Sequence, residues 1–135
     1  MKLTIVMTII ILLYTMNANA EYKFAENWNK TDTAWQMGFT TLCIADWLQT
    51  RYISTHPNDY RETNKVLGEH PSLNEVDSYF VSVLAAHAIV AAALPPEAEV
   101  FDYKINPRRI WQGVWIGVEG GYVIHNISIG IKFEY

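Results

Sequence analysis

Sixteen consecutive residues, Tyr79 to Leu94, carry no formal charge and hold a single imidazole, His87. No other feature limits the fold as strongly. Ser72-Leu73-Asn74-Glu75 precedes the run as a capping-box pattern, in which hydroxyl and carboxylate satisfy two orphan amides of a first helical turn. Pro95-Pro96 closes it, because proline lacks the amide and clashes with the turn before it. These signals predict a helix from about Leu73 to Leu94. Tyr79–Leu94 is the best membrane-span candidate in the chain.

Two further helices flank it. Thr31 or Asp32 can cap a helix from Thr33 to about Ile53, with Trp35, Phe39, Leu42, Trp47 and Leu48 at helical spacings. Asn106-Pro107 reads as a cap followed by proline at the first helical position, opening a third helix to about His125. Gly113, Gly117 and Gly121 lie four apart on it and predict a helix-packing ridge, since glycine lets another backbone approach. Glu21–Lys30 reads as a polar tail, Ser54–Ser72 as a long polar connection, and Glu97–Ile105 as a short polar link. Ile127, Ile129, Ile131, Phe133 and Tyr135 alternate and predict one extended or hairpin edge. The chain lacks the set of strands that a closed barrel needs. The expected fold is mainly α: a small bundle of three helices, membrane-spanning, with a short extended C-terminal segment, in a single domain over 21–135.

At the N-terminus, Lys2, the apolar run Leu3–Leu13 and Ala18-Asn19-Ala20 match an export signal over 1–20, cleaved before Glu21 or retained as an anchor. With one cysteine, Cys43, an internal disulfide framework and a cysteine-based zinc site are excluded. Cys43 is expected to be buried and inert. Half of the residues are hydrophobic and the net charge is −4 without a basic stripe. Disorder is therefore excluded, and nucleic acid is not an expected partner. Basic residues divide five against five between the two sides of a three-helix arrangement and give no orientation.

The first and third helices are weaker spans, because each carries a carboxylate and a glutamine: Gln36 and Asp46, Gln112 and Glu119. A central Asp costs about 2.5–3.5 kcal/mol on insertion scales. A soluble exported or periplasmic bundle is the alternative to a membrane bundle. Asp46, Gln49 and Thr50 fall on one helical stripe. Gln112, Glu119 and Asn126, seven apart, form another, roughly opposite the glycine ridge. With His87 they make a candidate polar interior. It serves either packing, with Asp46 paired to His87 and Glu119 bonded across helices, or a proton or ion relay. If a metal binds, Asp46, His87, Glu119 and His125 are the candidate ligands. In the connection, Glu62, Asn64 and His70 are candidates either for local backbone bonding or for a lid over the polar interior. No hydrolase, metalloprotease or phosphate-loop motif occurs, and no cofactor is predicted.

These residues also carry a resemblance. Ala45-Asp46-Trp47-Leu48-Gln49-Thr50-Arg51-Tyr52, Glu62-Thr63-Asn64 and Leu67-Gly68-Glu69-His70-Pro71-Ser72, with His87 and Trp111 to Asn126, resemble a family of small bacterial and prophage-type membrane proteins with no assigned activity. The likeness covers about Ala34 to Ile131. It implies a multi-helix membrane protein with a D-x-x-Q-T helix motif. Where that pattern has proline after E-T-N, this chain has Lys65. No catalytic residue follows from the likeness, and an enzyme is not expected. The expected role is structural or interactive. The partners would be the lipid bilayer and either a second copy or another membrane protein. An ion pathway and a metal-dependent membrane enzyme are the alternatives.

Overall fold

The computed structural model describes residues 23–100 and 102–134. Residues 1–20, where the sequence predicts an export signal, lie outside the described residues. Three helices, α1 (Lys30–Thr55), α2 (Leu73–Ala93) and α3 (Pro107–Ser128), enclose the fold. A two-stranded antiparallel ribbon, β1 (Ala98–Val100) and β2 (Tyr103–Ile105), joins α2 to α3. The mainly helical expectation holds, and the ribbon is new.

Each helix starts on a side chain that meets its free amides. At α1 the cap is Asn29, earlier than Thr31 or Asp32. Its side-chain oxygen accepts from the amides of Thr31 and Asp32, while Asp32 accepts from the Asn29 amide. Asp32 is thus the far half of a capping box rather than the cap. Ser72 and Glu75 form the predicted box on α2, and Asn106 caps α3 ahead of Pro107.

The end of α3 corrects the sequence reading. The helix runs through Ile127 to Ser128 and closes on a Schellman turn. Gly130, at φ 87°, donates to Ile127 O, and Ile131 donates to Asn126 O. Residues 129–134 form no strand. The alternation reflects a helix end followed by a turn whose Ile131 is buried. The ribbon forms instead at 98–105, where Asp102 supplies the positive φ that the turn requires.

α1 lies at the centre, packed most extensively on α3, then on α2. α1 and α3 run parallel, with α2 antiparallel to both: Asp32 meets Arg108 at one end, and Asp46 meets Asn126 near the other. The apolar core is small. Phe39, Cys43, Val76 and Phe80 are buried together, with Leu67 from the 56–72 connection packed against them.

The glycine ridge does not pack the helices together as expected. A Cβ on Gly113 would meet the Trp35 ring at 3.2 Å, but Gly117 and Gly121 face open space. Close approach of α1 and α3 uses Gly38 against Ile116 and Gly120 against Leu42 instead. Gly120 is one residue off the four-spaced series, on the face that turns toward α1.

Candidate functional site

The interior of the bundle holds a column of polar side chains beside its small apolar core. Asp32, Gln49, Thr50, His87, Arg108, Gln112, Glu119 and Asn126 are all buried. Outside, Trp35, Met37 and Ile44 on α1, Val81 and Ile89 on α2, and Ile110, Val114 and Ile124 on α3 are exposed. No residue in 33–45, 78–94 or 110–118 is formally charged. Exposed charges gather at the two ends: Lys30, Glu97 and Lys104 at one, Arg61, Lys65 and Glu75 at the other. Among the described helices, only α2 is long and apolar enough to cross a membrane by length and composition.

At the first end the column is closed by Arg108, 0% exposed. Its Nε donates to Ala91 O at 3.0 Å and Leu94 O at 3.1 Å. Its Nη2 donates to Leu94 O and Glu26 O, both at 2.9 Å, and its Nη1 to Asp32 Oδ2 at 3.2 Å. Arg109 donates to the other Asp32 oxygen at 2.6 Å, and Gln112 Nε2 to Asp32 O at 3.0 Å. Both guanidiniums stack on indoles, Arg108 over Trp28 and Arg109 over Trp35. Arg108 therefore ties all three helices and caps the free carbonyls at the end of α2, where a cation is favoured.

The sequence reading missed this clamp. One signal was available: two arginines in the first turn of a helix oppose its dipole, so they need a partner elsewhere. Asp32, already acidic in a first turn, is that partner.

At mid-depth His87 is 3% exposed and does not pair with Asp46. Its ring stacks on Phe39 at 3.5 Å between centroids and on Trp111 at 5.5 Å, and neither ring nitrogen has a hydrogen-bond partner. Gln36 Oε1, Gln112 Oε1, Trp115 Nε1 and Glu119 Oε2 are also buried without partners. These groups line the inner faces of the helices and leave unmet hydrogen-bonding capacity along the column.

The second end holds Asp46, Gln49, Glu119 and Asn126. Asn126 Nδ2 donates to Asp46 Oδ1 at 3.1 Å and to Gln49 Oε1 at 3.2 Å, and Gln49 Nε2 donates to Val123 O at 3.4 Å. The two predicted polar stripes thus meet each other. Thr50 is buried beside them. Glu119 does not make the expected bond through Oε2.

The 56–72 connection covers this end. Asn64 bonds locally, accepting from Val66 N, while its own amide donates to Glu62 Oε1. Leu67 of the connection packs against the apolar core beside this end. Ser54 Oγ donates to Pro71 O at 2.7 Å, and Arg51 grips both oxygens of Asp77 at 2.6 and 2.7 Å, closing the α1–α2 corner. His70 is exposed on the connection.

The candidate metal set does not assemble. His87 is enclosed by aromatic rings and His125 is exposed. Among the described residues no three His, Cys, Asp or Glu side chains gather into a group able to hold a metal ion. Comparison with models of known families, with curated proteins and with solved structures finds no match.

Proposed function

We propose that this chain is a small integral membrane protein whose three helices cross the bilayer as one bundle around a polar column, with a structural and interaction role. The supporting observation is the inverted distribution of polarity. Exposed side chains along the middle of all three helices are uncharged and largely apolar, while buried ones include three amides, one imidazole and an arginine–carboxylate clamp. A water-soluble bundle places these classes the other way round. The charge-free stretch through α2 and its cap, seventeen residues from Ser78 to Leu94, spans about 25 Å, close to a hydrocarbon core once tilt and snorkelling ends are allowed. Trp28, Trp35 and Tyr103 near one end, with Tyr52 and Tyr60 near the other, suit the two interfaces.

The partners in this reading are lipid and a second membrane helix, from another copy or another protein. The exposed face of α3, Ile110, Val114, Gly117, Gly121 and Ile124, is the surface offered to that helix. A through-going ion pathway is less well supported, because Arg108 fills one end of the column with a fixed positive charge. The test is fractionation of the expressed full chain with high-salt and then alkaline carbonate washes, with N-terminal sequencing. Retention in the pellet after carbonate is the expected result. Release by carbonate would overturn the reading.

A further inference from the structure

Two buried carboxylates stand at different depths of one column and are treated differently. Asp32, 1% exposed, receives two guanidiniums. Glu119, 6% exposed, receives none, and its Oε2 has no hydrogen-bond partner. Among the described residues no ion pair includes Asp46, Glu62 or Glu119. A Cβ on Gly120 would meet Leu42, and Asn126 bonds Asp46, so Glu119 and Asp46 lie on facing stretches of α3 and α1; Glu62 adds a third carboxylate from the connection. The amide donors beside them are already used: Asn126 Nδ2 on Asp46 and Gln49, Gln49 Nε2 on Val123 O. The remaining titratable groups in reach are Cys43 on α1 and Tyr79 on α2, neither of them a cation. Arg51 is committed to Asp77.

A carboxylate in so dry a place is costly to keep charged, and where no cation is supplied it neutralises by taking a proton. We propose that Asp46 and Glu119 form a proton-binding carboxyl pair that holds one proton in the folded protein, loaded from the side of the 56–72 connection. Asp46 is half-buried at the end of the column away from Arg108, which blocks the other end. The bound proton leaves one negative charge on the pair and gives it an O–H donor. Its loss places two like charges between α1 and α3, where the Asn126 bonds to Asp46 and Gln49 join them. The pair's contribution to stability is then full below the ordinary carboxylate range, falls as pH rises while the folded pair alone still holds its proton, and is gone above the titration of the pair. The inference does not depend on the bilayer, because the chain itself buries Glu119.

The test is infrared spectroscopy of the purified full chain in detergent, as wild type, Asp46→Asn, Glu119→Gln and the double variant. A carbonyl band of a protonated carboxylic acid is expected in the wild type at neutral pH. It should disappear as pH rises and be absent from the double variant. Each single variant removes the mutual repulsion, so its remaining acid should lose the band at a pH lower by about one unit or more. A wild type without the band at neutral pH overturns the proposal, as does a band that persists in the double variant. A band that appears only after sodium is removed also overturns it, since a metal cation would then be the occupant. Thermal midpoints against pH keep the test open if a variant folds poorly. The wild-type midpoint should fall between mildly acidic and mildly alkaline pH, and a flat profile contradicts a pair that loses its proton there.

Discussion

Arg108 carries more of the fold than any other single side chain. It is fully buried, and its five hydrogen bonds reach the segment before α1, α1 itself and the end of α2. Replacing it by Met leaves the Ala91 and Leu94 carbonyls without a donor and Asp32 Oδ2 with the Asn29 amide alone. Breaking a buried charge pair from one side costs about 3–5 kcal/mol. Arg108→Met should lose about that much in an unfolding titration in detergent. Arg108→Lys should recover little, because one ammonium cannot reproduce the planar fork. His87 predicts the opposite sign. Both ring nitrogens are buried and unpartnered, and the ring already sits in an aromatic stack. An unsatisfied buried polar group costs about 1–3 kcal/mol. His87→Phe should therefore raise stability by about 1 kcal/mol or more in the same titration, and a large loss would point to a hydrogen-bonding role for the imidazole.

At the scale of elements, the three glycines of α3 separate into two kinds. Gly113 is filled by Trp35, which in turn carries the Arg109 guanidinium. Gly113→Leu must displace that indole and should cost about 1–3 kcal/mol of stability, as overpacking does. Gly117 has open space, so Gly117→Leu should leave the fold of one chain intact and gain slightly from helix propensity. Its effect should appear only in self-association, read by cross-linking in detergent or by sedimentation. Loss of stability in Gly117→Leu would restore the intramolecular ridge. The contrast shows what the sequence can and cannot carry. Periodicity places Gln112, Glu119 and Asn126 on the buried face correctly, since seven residues return to the same side of a helix. Caps and prolines locate the starts of α2 and α3, because their chemistry is local. Which glycine meets which neighbour depends on the rotation of α3 against α1, and no local signal fixes that rotation. The clamp was hidden for the same reason: Asp32 and Arg108 are 76 residues apart. The alternation from Ile127 to Phe133 misled because a helix end and a Schellman turn also place apolar residues at every second position over a short stretch; Tyr135 lies outside the described residues.

For the molecule as a whole, the distribution of polarity makes the bilayer reading testable at single positions. Val81 and Ile89 on α2 are 55% and 59% exposed. A soluble bundle tolerates lysine at both positions, because surface substitutions away from special contacts change stability by about 0.5 kcal/mol at most. A membrane bundle does not. Ile89 lies near the Arg108 end, where a lysine can snorkel toward the interface. Val81 lies toward the opposite end of the same span, so neither position alone reports the cost at mid-depth. Ala85, between them and also exposed, does. Lysine near the centre of a span costs about 2.5–3.5 kcal/mol on insertion scales. Ala85→Lys should therefore abolish most insertion in a glycosylation-mapping assay, with Ile89→Lys and Val81→Lys showing smaller losses. Equal insertion of all three with the parent chain would mean that α2 does not face lipid. The polar column would then be the core of a soluble bundle, and the apolar belt a surface for protein partners. The graded pattern is the more informative outcome, because it follows from depth in a slab of low dielectric and from nothing in the packing of the bundle.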